Sequence, residues 1–245
     1  VRGEGSRPEE GALPSRGTVL FITCNWFFCQ WSFNQSLAYT ALSTNTLLSS
    51  SSVVWSYVFG LLLSRSRLSV PGMACVALAV GGVLLALSGS STRTDPNAPK
   101  DTPFGELLAT CSAVAYGVFS NVLDMRVESR HLNYVWGCVG VYSLLLGAML
   151  MVLAHITGLE TFQAPSTPAL GIMLFNGFLG TSLSDYIWAQ GLLLTSPLVA
   201  TVVLNFTIPV SLVLDSVVLK QHAFSPMFPL GALLVFAGIV AGGGG

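Results

Sequence analysis

One carboxylate and several amides and hydroxyls lie inside runs that are otherwise apolar enough for lipid. Asp185 stands in NGFLGTSLSDYIWAQGLLL, after Asn176 and Gly177 and between Ser184 and Tyr186. A charged group in such a run is costly, so it faces protein interior or water. There it could couple a proton, counter a cationic substrate, or pair with a loop arginine. The next apolar run holds Asn205 and Thr207, and an earlier one holds Asn45, Thr46 and the serines Ser49 to Ser52. Successive serines sweep most of a helical turn, so some must face neighbouring helices. They could satisfy their own helix's carbonyls and let helices approach closely, or they could line a cavity wall. Asn25, Gln30, Asn34 and Gln35 mark the first run, where interhelical bonding and pore lining are both open. The residues that could contact a small polar substrate are therefore Ser50, Ser52, Asn34, Asp185, Tyr186, Asn205 and Thr207. Trp188 reads more readily as lipid-facing, and Asp215 is close enough to a run's end to snorkel.

Other chemistries lack their motifs. His131, His155 and His222 lie at run edges, and none is spaced with a Ser, Cys or acid as a nucleophilic site would need. There is no glycine-rich phosphate loop, GxSxG or metal motif, so the sequence calls for no enzyme activity, catalytic residue, metal or cofactor. The cysteines (Cys24, Cys29, Cys75, Cys111, Cys138) form no CxxC pair and read as small buried apolar side chains. The net charge of -1 offers no basic field for nucleic acid.

The elements that hold these residues must cross a bilayer. Charged residues make up 9% of the chain and apolar ones 52%, whereas soluble domains carry about 25% charged residues. Eight spans can be drawn: Thr18–Tyr39, Thr44–Leu63, Pro71–Leu87, Phe104–Leu123, Tyr134–Ala154, Leu170–Leu193, Leu198–Leu219 and Met227–Ala241. Each must be helical, because lipid offers no partner to open backbone groups. Pro71 and Pro226 suit helix starts, and Pro209 should kink or loosen the seventh span. Ala109, Ala113, Gly117 and Ser120 form one small-residue stripe, and Gly231, Gly238 and Gly242 another; both read as packing faces. Arg2, Arg7, Arg16, Arg65, Arg67, Arg126 and Arg130 fall on one side of the membrane, and Arg93, Lys100 and Lys220 on the other. The positive-inside bias puts both termini in the cytosol. The sequons at Asn34 and Asn205 lie within spans and are not expected to carry glycans.

The chain also repeats itself. Shifted by 155 residues, Gln35 falls on Gln190, Thr40 on Thr195, Thr46 on Thr201, Ser56 on Ser211, Pro71 on Pro226 and Ala86 on Ala241, without a gap. The same register lays Ser50 on Asn205 and Ser52 on Thr207. Span two thus matches span seven, five spans later, and an odd shift inverts the direction across the membrane. Inverted repeats are common in secondary transporters, with substrate bound between the halves. The expected organisation is a polar arm (1–17), a partial first repeat of three helices (18–90), a linker (91–103) and a second repeat of five helices (104–245). A five-span unit implies ten spans, two of them preceding Val1.

The phrases SLAYTALSTNTLLSSSSVVWS, NGFLGTSLSDYIW and LLTSPLVATVVLNFTIPVSLVLD resemble solute carrier family 35, F subfamily, member-five type, within the drug/metabolite transporter superfamily. The resemblance spans roughly Trp26 to Ala241. It implies an all-α polytopic membrane protein with the EamA-like, ten-helix (5+5) carrier fold, of which eight helices lie in this chain. Members resembling this branch end their sixth helix in a basic cluster. Here LDMR keeps Arg126 alone, which argues against an anionic substrate guided by such a cluster. The expectation is a secondary transporter of a small polar organic solute, nucleotide-sugar-transporter-like or thiamine-like, working by alternating access. The rival reading is a non-transporting truncated fragment or membrane interaction protein; a receptor is a weaker third. The partners called for are the lipid bilayer and a small-molecule substrate, with a proton or counter-substrate as coupling options and a homodimer as an option for assembly. The location expected is an endomembrane, Golgi or vacuole/lysosome, in preference to the plasma membrane.

Overall fold

Backbone polar groups that cannot reach water must pair within their own segment, and the chain meets that demand with helices. The computed structural model describes residues 13–40, 42–63, 68–91, 102–158, 164–214, 223–224 and 227–243. The helices are α1 (Arg16–Ser36), α2 (Leu42–Ser50), α3 (Ser52–Leu63), α4 (Val70–Gly89), α5 (Pro103–Arg126), α6 (Leu132–Ile156), α7 (Thr167–Phe175), α8 (Ser184–Leu194), α9 (Pro197–Leu214) and α10 (Met227–Gly243). A π-helical segment, Asn176–Leu183, runs from α7 into α8, and a 3-10 turn, Ser129–His131, leads into α6. Two-residue strands β1 (Ser90–Ser91) and β2 (Ala223–Phe224) pair antiparallel, Ser90 opposite Phe224.

Every expected span has its helix, with α2 and α3 sharing the second and α7, the π segment and α8 sharing the sixth. Thr44–Leu63, Pro103–Arg126 and Ser129–Ile156 are long and apolar enough to cross a membrane. Val70–Leu85, Pro197–Phe206 and Pro229–Ala241 are shorter apolar helices. The end of the seventh expected span, Asp215 and the basic residues Arg2, Arg7, Arg65, Arg67, Arg93, Lys100 and Lys220 lie outside the described residues.

Two irregularities interrupt the expected spans. At Ser51 the backbone turns: Ser51 N–H donates to the Leu48 carbonyl at 3.1 Å, and Val54 N–H to the Ser51 carbonyl at 2.9 Å, both three residues back. The hydroxyls of Ser50 and Ser51 donate to the carbonyls of Leu47 (2.7 Å) and Leu48 (2.6 Å). Consecutive serines compete for the carbonyls that the helix ladder needs, and the ladder breaks there. The second irregularity is the π segment, where Gly177, Gly180, Thr181 and Ser182 let the coil widen by one residue per turn. By contrast α9 continues through Pro209 to Leu214.

Helix ends are closed by side chains. Ser15 caps α1 by accepting from Thr18 N–H, and Thr102 caps α5 by accepting from Gly105 N–H, each at 3.2 Å. Thr102 also donates its N–H and its hydroxyl to the Tyr39 carbonyl, both at 3.0 Å, fastening the start of α5 to the turn after α1.

Packing follows the small residues. α4 lies along α10, α1 along α5, and α3 against both α5 and α9. A Cβ at Gly117 would come within 2.8 Å of the Trp55 backbone, and one at Gly105 within 2.7 Å of the Tyr39 carbonyl oxygen. Where α4 crosses α10, a Cβ at Gly82 would sit 2.7 Å from the Gly231 carbonyl oxygen and from Val235 N. The main core joins Val19 and Ile22 of α1, Phe119 and Leu123 of α5, Val135 and Val139 of α6, and Ala189 and Leu192 of α8. A second core, Val53, Cys75, Ala79 and Val202, knits α3, α4 and α9. Apolar side chains also cover the outside: Leu144 is 72% exposed and Phe175 68%. Water would penalise that surface, and hydrocarbon does not.

Neighbouring glycines of α4 give a matched test. Gly82→Ala forces backbone apart at the α10 crossing and should cost about 1–3 kcal/mol. Gly81→Ala meets nothing within 4 Å and should be neutral. Thermal unfolding of the detergent-purified variants checks the pair, and equal losses would contradict this account of the crossing.

Candidate functional site

Polar side chains inside the spans gather in two places with opposite characters. The first is where α2–α3 crosses α9. Asn205, 6% exposed, donates its Nδ2 to the Ser50 carbonyl at 3.2 Å. These are residues that the 155-residue shift superposes, so the two repeat-related helices meet at equivalent points. Deeper along the crossing the Ser56 hydroxyl lies 3.0 Å from Thr201 Oγ1 and 3.2 Å from Ser120 Oγ. Thr201 donates its own proton to the Pro197 carbonyl (2.6 Å) and Ser120 donates to Gly117 (3.1 Å). Ser56 therefore serves as donor to one of them. Asn121 donates to the carbonyls of Ser56 (2.9 Å) and Gly117 (2.8 Å). Nearby, Asn45 is buried and donates to the hydroxyls of Ser36 and Thr40. Hydroxyl and amide protons in this layer are engaged with protein, which suits a joint between helices.

The second place is a cavity of about 290 Å³ lined by Trp26 of α1, Trp136, Val139, Gly140 and Ser143 of α6, Thr181 and Ser182 of the π segment, and Asp185 of α8. The π segment explains the convergence. Its wide turn puts Thr181 and Ser182 on the same face as Asp185, one turn later. The indoles of Trp26 and Trp136 stand 6.2 Å apart between ring centroids, inclined at 51°. Phe119 backs them, 4.6 Å from Trp26 and 6.1 Å from Trp188. Tyr116 packs on Trp188 at 5.3 Å.

Polar groups here are unengaged. Asp185 is partly buried, and no hydrogen bond or ion pair reaches its carboxylate among the described residues. The salt bridge described, Arg130 with Glu128, sits at the chain's surface before α6. The Ser143 hydroxyl, the Tyr116 hydroxyl and Trp188 Nε1 are buried with no hydrogen-bond partner among the described residues.

The residues marked by sequence divide between these places. Ser50, Ser52 and Asn205 are buried at the crossing, and the Ser50 hydroxyl turns back to Leu47. Thr207 lies within α9, one helical stretch beyond Asn205, and its side chain is outside the described residues. Asp185 lines the cavity. Tyr186, next to it, points to α6, donating to the Asn133 side-chain oxygen and accepting from Gln190 Nε2 at 3.0 Å. Asn34 is exposed and donates to the Gln30 carbonyl at 2.7 Å. Sequence reasoning did not mark Trp26, Trp136, Ser143, Thr181 or Ser182. Aromatic residues in apolar spans look like packing, although the repeat register does lay Trp26 on Thr181, and both face the cavity. Trp188, read as lipid-facing, stacks in the aromatic core instead. A further groove of about 280 Å³ between Phe27, Phe28, Trp31 and Leu150 has no polar side chain and opens outward, as lipid contacts do.

A helical, multi-pass integral membrane protein with a carboxylate-bearing cavity between packed helices is the class this architecture defines. Residues 103–241 match the EamA-like transporter family, and the chain belongs to that family. It is 32% identical over 89% of its length to "Solute carrier family 35 member F5" of Pongo abelii, covering 42% of that protein. It is 29% identical over 90% of its length to "Thiamine-repressible mitochondrial transport protein THI74" of Saccharomyces cerevisiae, covering 60% of that one. The chain thus spans roughly half of the relatives it matches. A solved structure titled "Crystal structure of protein" superposes with a TM-score of 0.68 at 19% identity, over 93% of this chain and 76% of that one. That likeness concerns the fold alone.

The crossing layer predicts measurable coupling. A double-mutant cycle with Ser56→Ala and Thr201→Val should return an interaction energy of about 0.6 kcal/mol in unfolding free energy, typical of interhelical hydrogen bonds in bilayers. Strict additivity would mean the two hydroxyls do not meet.

Proposed function

We propose that the protein is a secondary carrier that moves a small polar organic solute by alternating access, with the Asp185 cavity as its substrate site. The observation that carries this reading is the unpaired carboxylate facing a cavity inside a chain of a transporter family. A buried charge without a partner is expensive, and a site that binds and releases cargo is one reason to keep it so. Thr181, Ser182 and Ser143 would supply hydroxyls for orientation. The α2–α3/α9 crossing at Ser50, Ser56, Thr201 and Asn205 would be the joint on which the halves rock, with Ser52 and Asn34 outside direct contact with cargo.

Both repeats would take part, residues 18–90 as the partial first and 104–245 as the second, connected by a linker at 91–103. Both termini would face the cytosol, following the distribution of arginine and lysine. The name of the yeast relative, a mitochondrial transport protein, supports an internal membrane over the plasma membrane. A nucleotide-sugar-like or thiamine-like solute is the range expected from sequence, of which the carboxylate in the cavity disfavours the anionic nucleotide sugars; transport would be coupled to a proton or a counter-substrate.

Proteoliposomes holding the full chain, offered a metabolite mixture and read by mass spectrometry of the retained solutes, test the carrier reading. Asp185→Asn should lower the retained solute at least about tenfold, as expected for a group contributing 1.4 kcal/mol or more to binding. Gly81→Ala should retain uptake. Unchanged uptake in Asp185→Asn would remove Asp185 from the mechanism.

A further inference from the structure

The cavity's walls have a charge preference of their own. Among the described residues its lining offers one carboxylate, two indole rings and three hydroxyls, and no Arg, Lys or His. An anion entering would meet Asp185 with nothing to offset it, in a medium where like-charge repulsion is poorly screened. A neutral solute would leave the carboxylate unbalanced. A cation would satisfy Asp185 and lie beside the indoles of Trp26 and Trp136, which line the same cavity. Indole is the strongest cation–π partner among side chains, and the attraction grows when water is excluded.

The ring geometry fits that use. Two indoles inclined at 51° with centroids 6.2 Å apart form a corner rather than a stack. Phe119 holds that corner from behind, 4.6 Å from Trp26 and 6.4 Å from Trp136. Asp185 is on a different helix from both indoles, so carboxylate and rings approach the cavity from different elements. The phenol of Tyr116 and the thiol of Cys29 carry no positive charge in either protonation state, so neither competes for Asp185 as a cation would.

We propose that the Trp26–Trp136–Asp185 cavity is a site for a small organic cation, with charge carried on a quaternary or delocalised nitrogen. This rests on the carrier reading for its physiological use, but its binding chemistry does not. A quaternary centre suits the indole corner because it needs no hydrogen-bond acceptors around it. The Ser143, Thr181 and Ser182 hydroxyls would hold a polar appendage of the same solute.

Tryptophan fluorescence of the purified full chain, titrated with choline and with its neutral carbon isostere, measures the preference. Choline should bind saturably and at least about tenfold more tightly than the isostere. Asp185→Asn should erase most of that difference while leaving the isostere's affinity as it was. Trp136→Leu should weaken choline about tenfold, and Trp136→Phe, which keeps a ring, should fall between. Equal binding of choline and isostere, absence of choline binding, or indifference of choline to Asp185→Asn would each overturn the proposal. Flux separates this result from the carrier reading. Selective choline binding without Asp185-dependent uptake of any solute would sink the carrier and keep the cation site. Asp185-dependent uptake of neutral or anionic solutes without choline binding would keep the carrier and sink the cation site.

Discussion

Inside a bilayer a polar group has no water to fall back on, and this protein's architecture follows from how each such group is paired. Backbone groups pair along helices. Side-chain hydroxyls and amides pair where helices cross, and the crossings are close because glycine removes the Cβ that would hold them apart. Gly82 against Gly231 and Val235, and Gly117 against Trp55, bring helices near enough for dispersion contacts to replace a hydrophobic effect that hydrocarbon does not provide. Against this background, the cavity region differs: among the described residues nothing engages the hydroxyls of Ser143 and Tyr116 or the indole N–H of Trp188, and Asp185 lines the same space.

The two polar places divide labour. At the α2–α3/α9 crossing, Asn205 reaches the carbonyl of Ser50, its own counterpart in the repeat. Two antiparallel helices related by an internal two-fold must cross where equivalent residues face each other, so this hydrogen bond marks where such an axis would pass. Breaking the α2–α3 helix at Ser51 frees backbone groups at that point, and a joint with freed backbone can turn more easily than a continuous helix. The cavity lies elsewhere, between α1, α6 and the π segment. There the widening of a helix, rather than its interruption, turns small polar residues and Asp185 toward a shared space.

What the sequence revealed, and what it hid, follows the same division. The spans were legible because hydropathy over some twenty residues integrates many weak signals, and the helices fall where those runs lie. The Ser51 turn and the π segment were not. Both depend on which carbonyl wins a competition, and a count of apolar residues is blind to that. Ser50 and Asn205 were legible as a matched pair through the repeat, yet whether the pair lined a space or closed one depended on side-chain direction. Asp185 was legible because a carboxylate in a span has few bland explanations. Its neighbours Trp26 and Trp136 were not, because an indole in an apolar helix is the ordinary filling of a core.

That last contrast bears on how the site would work. A carboxylate alone in a membrane has two economical fates: to take a proton, or to meet a cation. Packing that merely shielded a protonated acid would be satisfied by aliphatic side chains, which fill space with no electrostatic preference. Here Asp185 shares its cavity with two indoles inclined to one another and packed on Phe119, and an indole adds to apolar contact an attraction for positive charge that an aliphatic side chain lacks. On the proposal of a cation site, the pairing of acid and indole corner would select sign before shape. A carrier built this way would discriminate first by charge and then by the hydroxyls of Ser143, Thr181 and Ser182, which can read whatever polar group the cation carries.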